Sequence, residues 1–475
     1  WQAASTAVAA RFQASPELVP STARREGSLL FWTPPGPGCR HGSVSACGSG
    51  ASSSGGGSSS SSTTPPLEDK PSGLRYEAWL AGGEVPRVDC GTADGFRKAL
   101  EMISRRVPVV MERLDVMPAT ATWNVDYLHR HTTSWPGMTV LQSRAGDNRY
   151  LYYVAEQMDR DMSAFRGAPK YASQESLMSF NSFLRASESN PSQRYYLQAP
   201  LVIRSMDEDG SMKEQWSKGI DNQLKADCWE NVDQERLHAI QAAGQFGYWS
   251  RSQLFVGPTE SLSPVHYDQY DNIFLQVTGE KHLLMFDPRA AEGLYPFPAS
   301  HPYDEYAMVD LENIDSRAFP RAASSLRGRG ASATLHEGDA LYIPTHWWHH
   351  VLGSVEATAR SLQQKPLKRP WCISVNFWFT IHAAILRPEY PLPLHTELEL
   401  ARHAEFLLAD ACGSKSLQTV VSSLWRDLEG DTSINLADES LPTRNFLLYR
   451  LARILGAEHV QSFVTEYFPM ERFVR

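Results

Sequence analysis

Between Gln253 and Phe379 the sequence is cut into short β-forming runs by turn signals. Gln253–Val256, Asn272–Val277, His282–Phe286, Ala340–Ile343 and Cys372–Phe379 are rich in β-branched and aromatic residues, with Thr278-Gly279 and Glu337-Gly338-Asp339 breaking the chain between them. Many short strands at this spacing predict a mainly β sandwich or barrel. Upstream, Trp123–His131 and Gln174–Arg185 carry helical patterning, while Tyr150–Val154 and Tyr195–Ile203 read as strands. After Pro393 the period changes to that of helices. Leu398, Leu400, Phe406 and Leu407 fall in one candidate helix, and Val420, Val421, Leu424 and Leu428 in the next. Leu447, Leu448, Leu451, Ile454 and Leu455 make a helical stripe in a third. Such a stripe packs on its own domain or against a second copy, and the pattern leaves both open.

Composition narrows the classes further. Hydrophobic residues at 42% and charged residues at 21% give a globular chain with material for a core. A net charge of −9 disfavours a dedicated nucleic-acid binder. No run of about 18 apolar residues occurs, so no membrane span is expected. None of the six cysteines forms a C-x-x-C pair, which reads as reduced thiols of an intracellular, cytoplasmic or nuclear, protein. Residues 1–74 stand apart: Ala51–Thr64 is Ser and Gly with little else, a linker composition that lacks apolar groups to offset ordering. This stretch is expected to be a disordered extension. The acid-poor segment Trp1–Arg25 leaves open a truncated organelle-targeting sequence.

The chemistry concentrates in two places. His266-Tyr267-Asp268 follows Ser263-Pro264-Val265, and on a strand residues two apart share a face, so one imidazole and one carboxylate would point the same way. An H-x-D triplet alone is weak evidence. Far downstream, Glu337-Gly338-Asp339-Ala340-Leu341-Tyr342-Ile343-Pro344 leads into Trp347-Trp348-His349-His350. Two histidines and one carboxylate on one side of a metal leave the opposite positions open, the arrangement of non-haem Fe(II) oxygenases. Ligand type alone also suits zinc. Lys281, after the turn at Thr278-Gly279, can place an ammonium in such a pocket as a clamp for a carboxylate, which favours iron with a keto-acid.

These segments resemble a known family. SPVHYDQYDNIFLQVTGEKHLLMFDP, EGLYPFPASHPYD, EGDALYIPTHWWHH and ISVNFWF are similar to the JmjC/cupin-type 2-oxoglutarate dioxygenases, closest to their asparaginyl-hydroxylase branch. The likeness extends upstream through Arg194–Gln198, Arg149–Tyr153 and Pro108–Val116 and covers about residues 75–430. It implies a double-stranded β-helix (jelly roll) with flanking helices. It implies Fe(II) held by His266, Asp268 and His349, with 2-oxoglutarate and O2 as cosubstrates and succinate and CO2 as products. Lys281 would pair with the far carboxylate of 2-oxoglutarate, and Tyr196, Ser263, Asn272 and Asn376 would complete its hydrogen bonds. Trp378, Tyr152 and Gln198 would line the substrate pocket, His350 would be a structural neighbour and His346 a bystander. The substrate would be a protein or peptide, and the C-terminal helices a homodimerisation element.

One departure affects the substrate. In that branch an Arg-Gln pair follows the HPxD segment and holds the target amide, whereas here His301-Pro302-Tyr303-Asp304 is followed by Glu305 and Tyr306. A glutamate reverses the charge of the arginine fork, and a tyrosine lacks the paired donor and acceptor of an amide. Glu305 would therefore either favour a cationic side chain or face solvent. The expected organisation is a dioxygenase domain over 75–392 and a helical region over 393–475. The function read from this is protein side-chain hydroxylation. An N-methyl-lysine or N-methyl-arginine demethylase and a metal-free binding module are the alternatives.

Overall fold

The computed structural model describes residues 76–151, 173–189, 193–206, 211–299, 301–353, 371–381, 391–413, 416–428 and 441–474. The N-terminal extension and Tyr152 lie outside these residues, as does all of Tyr150–Val154 beyond Leu151.

Among the described residues fifteen strands form two sheets. In chain order they are β1 (Ala81–Glu84), β2 (Arg87–Asp89), β3 (Val109–Glu112), β4 (Met138–Gln142), β5 (Gln174–Met178), β6 (Tyr195–Met206), β7 (Met212–Trp216) and β8 (Trp249–Pro258). There follow β9 (Leu262–His266), β10 (Asp271–Thr278), β11 (Lys281–Phe286), β12 (Gly330–Leu335), β13 (Ala340–Ile343), β14 (Trp348–Gly353) and β15 (Trp371–Phe379). The smaller sheet has the order β1-β12-β11-β14-β9. The larger runs β2-β3-β13-β10-β15-β8-β6-β4-β5, with β7 paired to β6. This is a jelly-roll β fold with flanking helices, as the turn-punctuated pattern and the resemblance imply.

The side-chain period of two sorts each strand between layers. On β15, Ile373, Val375 and Phe377 enter a core on the outer face of the larger sheet, with Leu254 and Val256 of β8 and Ile273 and Leu275 of β10. The helices Ala93–Ser104 and Gln234–Gly244 supply its other half through Ala99, Ile103, Leu237 and Ile240. The alternate residues face inward. Phe274, Leu283, Met285, Leu341, Ile343 and Val351 make the apolar filling between the sheets. On that same inner face lie Ser374, Asn376 and Trp378 of β15, and Arg251, Gln253 and Phe255 of β8. Fully burying an aliphatic or aromatic side chain is worth about 1.5–3 kcal/mol, so the polar residues among these apolar ones are the costly, informative positions.

Two local features fix the hairpin that carries the lysine. β10 and β11 are joined through Gly279, whose φ of +77° suits glycine, and a Cβ there would stand 2.7 Å from the Trp371 carbonyl oxygen. The turn starts β11 at Lys281, with inward-facing Leu283 and Met285 behind it.

The sequence reading errs at Gln174–Arg185. Gln174–Met178 is strand β5, paired along its length with β4, and the helix begins only at Phe180. A free edge of the larger sheet captures five residues of mixed propensity, so tertiary pairing overrides the local pattern. The C-terminal helices are Leu394–Cys412, Leu417–Leu428, Leu441–Leu455, Val460–Tyr467 and Glu471–Val474. They gather around their own core of Leu408, Val420, Leu424, Leu451, Phe463 and Phe468. Among the described residues no helix is long and apolar enough to cross a membrane.

Candidate metal centre

β9 and β14 run antiparallel and place His266 directly opposite His349. A bulge in β9 follows: Ser263 is opposite Val351, so three residues of β9 span what two residues of β14 span. The extra residue puts Ser263 and His266 on one face despite their odd separation, and Val351 marks that face as the interior. Asp268 is not on the strand, as the i, i+2 argument supposed, because β9 ends at His266. The chain turns back there toward β10, and the bend delivers the carboxylate. The ligand atoms of His266, Asp268 and His349 all lie within 4.8 Å of one another, and the two imidazole centroids are 4.2 Å apart.

Both imidazoles are oriented by backbone. His266 Nδ1–H donates to the Pro264 carbonyl at 2.7 Å, and His349 Nδ1–H to that of Trp347 at 2.9 Å. Each ring therefore keeps its Nε2 lone pair for the shared centre, and His349 Nε2 stands 3.8 Å from Asp268 Oδ2. Burial, followed by the neighbouring His349, holds His266 well below the usual imidazole range, so it rests in the neutral, ligating form. Burial pushes the Asp268 carboxyl up, and His349 and Arg251 pull it back toward the ionised form. Two imidazoles and one carboxylate gathered on one side suit a divalent metal with open positions.

Deeper in the same interior lies a buried cation. Lys281 is 3% exposed; its Nζ donates to Ser374 Oγ at 2.8 Å and to Tyr196 OH at 3.4 Å, and it lies 4.7 Å from the centre of the Phe274 ring. Among the described residues no carboxylate pairs with it. Burial pushes its ammonium down to about 8. Lys281 is four residues along β11 from Met285, the residue opposite His349. That is about 13 Å of strand rise. Asn376, between these levels, and Asn272, whose side chain bonds Asp268 at the metal end, are buried with Oδ1 atoms that have no hydrogen-bond partner among the described residues. A buried ammonium with two hydroxyls beside it, and two buried amides with part of their hydrogen-bonding capacity open, fits an oxygen-rich molecule reaching toward the metal centre.

Residues 97–384, more than half of the chain, match the cupin-like domain family. The chain belongs to that family. Lysine-specific demethylase JMJ30 of Arabidopsis thaliana is 33% identical over 127 residues, covering 27% of this chain and 25% of the relative. tRNA wybutosine-synthesizing protein 5 of Homo sapiens is 25% identical over 274 residues, covering 56% of this chain and 73% of the relative. Lysine-specific demethylase 8 of Xenopus tropicalis is 33% identical over 95 residues, or 20% of each chain. The chain thus spans about a quarter or less of the demethylases it matches.

Other expected site residues of this cupin-like chain are placed unevenly. Gln198 is half-buried on the inner face of β6, opposite Phe255, and Tyr196 stacks on Tyr150 at 5.0 Å. Trp378 is opposite Asn272 and stacks on Tyr270 at 6.1 Å. Tyr306 is buried and stacks on His266 with centroids 5.3 Å apart. His346 does not join the metal centre. It adopts a φ of +63°, and its Nε2 meets Glu399 Oε1 of the first C-terminal helix at 2.8 Å. His350 faces outward beside Tyr76, and burial pushes its imidazole down to about 3.

Glu305 does not face solvent. It is 7% exposed, with a φ of +76°, and its carboxylate accepts from Gln269 Nε2 at 2.5 Å. Its backbone carbonyl accepts from Tyr267 N–H at 3.0 Å, which lays the 305–307 segment along β9. The solvent-facing alternative is overturned; it stood because the local sequence offers no apolar run to signal burial. Burial and the like charge of Asp304 hold the Glu305 carboxyl well above the usual range. Asp304 is itself committed to Arg402, whose two terminal nitrogens reach its oxygens at 2.7 and 2.6 Å.

Sequence reasoning passed over Ser374, Gln269 and Arg251. Ser374 had a readable signal, since it sits two residues before Asn376 on a strand whose other face is apolar. Gln269 and Arg251 had none, because their roles arise from cross-chain proximity.

Proposed function

We propose that this protein is an Fe(II)- and 2-oxoglutarate-dependent dioxygenase that hydroxylates a protein or peptide side chain, releasing succinate and CO2. One observation carries the reading: the buried ammonium of Lys281, which has no carboxylate partner among the described residues, faces the interior that holds His266, Asp268 and His349. A metal site alone would suit many chemistries. A metal site with a built anion clamp four residues down the adjoining strand suits a chelating keto-acid.

The residues divide the work. His266, Asp268 and His349 hold the metal on one side, and Fe(II) so bound supplies dioxygen activation coupled to oxidative decarboxylation of the keto-acid. Lys281, with Tyr196 and Ser374, binds the far carboxylate and fixes its orientation by charge and two hydroxyls. Asn272 and Asn376 supply amides along the length of the molecule. Phe274, Met285 and Val351 close the surrounding space and exclude water. Trp378, Tyr270 and Tyr306 wall the end nearest Asp268, where a substrate carbon must be held close.

Demethylation is the second reading, favoured by the buried Glu305 carboxylate, which suits a cationic methylamine, and by the relatives' names. Candidate peptides with Fe(II) and 2-oxoglutarate, followed by mass spectrometry, separate the two. A stable gain of one oxygen supports hydroxylation, and loss of a methyl group with formaldehyde supports demethylation. Absence of Fe(II)-dependent succinate formation overturns both and leaves a binding module. Homodimerisation through the C-terminal helices belongs to the same reading, with Phe446 and Tyr449 exposed on Leu441–Leu455 as contact residues.

A further inference from the structure

Arg251 has no part in holding the metal or the keto-acid, yet it points into the same interior. It lies on β8 in register with Trp378 of β15, and its guanidinium carbon stands 5.0 Å from the centre of the Trp378 ring. One of its N–H groups reaches Gln253 Oε1 at 3.3 Å. Among the described residues no carboxylate lies within ion-pairing distance, so most of the five-donor fork is unused. Its charge nevertheless draws down both Asp268 and Tyr270 against the effect of burial. Arg251 is therefore near the metal centre without being bonded to it.

Arg251 is half-buried, and the contrast with two buried arginines is direct. Arg402 is gripped by Asp304 and Arg472 by Glu405, in ion pairs of 2.6 Å. Stacking on Trp378 restrains the Arg251 plane while leaving its edge free, and a planar, restrained fork matches a carboxylate in paired hydrogen bonds. Its position also separates it from the keto-acid clamp. Lys281 bonds Ser374, four residues before Trp378 on β15, with Asn376 and Gln253 between the two levels. That spacing is about 13 Å of strand.

We propose that Arg251 binds the carboxylate of an acidic residue in the polypeptide substrate, beside the carbon that reacts. The assignment names the substrate class for the oxygenase reading above and rests on it. Arg251 acts as a specificity-determining residue: it selects an acidic neighbour and adds nothing to 2-oxoglutarate binding.

The test uses full-length protein labelled with 5-fluorotryptophan and loaded with Zn(II) and 2-oxoglutarate, so that no turnover intervenes. The Trp378 fluorine resonance is identified by Trp378→Phe and followed during titration with N-acetyl-aspartate amide or its neutral isostere N-acetyl-asparagine amide. The acidic probe should bind at least about tenfold more tightly, a difference of roughly 1.4 kcal/mol. Arg251→Met should bring the two affinities together, and Arg251→Lys should retain part of the preference, while calorimetric 2-oxoglutarate affinity stays at the wild-type value. Equal affinities for the two probes in the wild type, or no shift of Trp378 with the acidic probe, would overturn the assignment. So would a tenfold loss of 2-oxoglutarate affinity in Arg251→Met, which would place Arg251 on the cosubstrate. Failure of Fe(II)-dependent succinate formation sinks the oxygenase reading separately, because the probe titration needs no turnover.

Discussion

Replacing Lys281 with methionine should stabilise the ligand-free protein while greatly weakening its hold on 2-oxoglutarate. Burial pushes the Lys281 ammonium from 10.5 down to about 8, and its hydrogen bonds go to two neutral hydroxyls. That shift corresponds to about 3 kcal/mol of penalty for keeping the charge in the folded state. The folded-state value lies below the unfolded one, so between about pH 8 and 10.5 the unfolded chain binds more protons and stability rises with pH. Below pH 8 the penalty is nearly complete. Methionine keeps the apolar stem without the charge, so at pH 7 Lys281→Met should gain up to about 3 kcal/mol. Its rise in stability from pH 8 to 10.5 should shrink correspondingly. Losing the ammonium–carboxylate pair should cost binding about 2–5 kcal/mol, or roughly 30-fold to several thousand-fold in 2-oxoglutarate affinity. Urea denaturation at pH 7 and 9.5 and calorimetric titration of the Zn(II)-loaded protein read the two effects. A variant less stable than wild type at pH 7 that binds 2-oxoglutarate normally would refute the reasoning.

Three further outcomes follow from the same physics. Glu305→Gln should stabilise the protein at pH 7: a carboxyl held above its usual range contributes stability at low pH that is lost as pH rises through its folded value. Equal stability of the two proteins at pH 7 by denaturation would contradict this. Phe377→Ala, in the fully buried outer core, should cost about 3–5 kcal/mol in urea unfolding, and a cost below 1 kcal/mol would show that the site collapses. Phe446→Glu with Tyr449→Glu should convert a dimer to a monomer in light scattering without loss of helicity; an unchanged mass would place any interface elsewhere.

Much of the architecture was legible because alternation on β10, β11, β13 and β15 is written in long apolar sets, as in Cys372–Phe379. The metal ligands were readable from a short motif and a distant Trp-Trp-His-His cluster, although the stated reason for Asp268 was wrong. It reaches the centre through a bend, and a bend has no periodicity to read. β5 was missed because its strand state depends on β4, which is far away in sequence. The burial of Glu305 and the placement of Arg251 were illegible for the same reason: both depend on which segments lie alongside, Tyr267 for the former and Trp378 for the latter. Ser374 could have been found by extending to the polar face the alternation already applied to the apolar one.

The most direct test of the metal centre is X-ray absorption spectroscopy of the anaerobic Fe(II)-loaded protein with 2-oxoglutarate, compared with His266→Ala and Asp268→Ala. The account predicts one iron per chain in a six-coordinate shell containing two imidazoles, with that signature lost in both variants although their circular dichroism is unchanged. Iron bound equally well after either substitution, or a wild-type shell without two imidazoles, would contradict it.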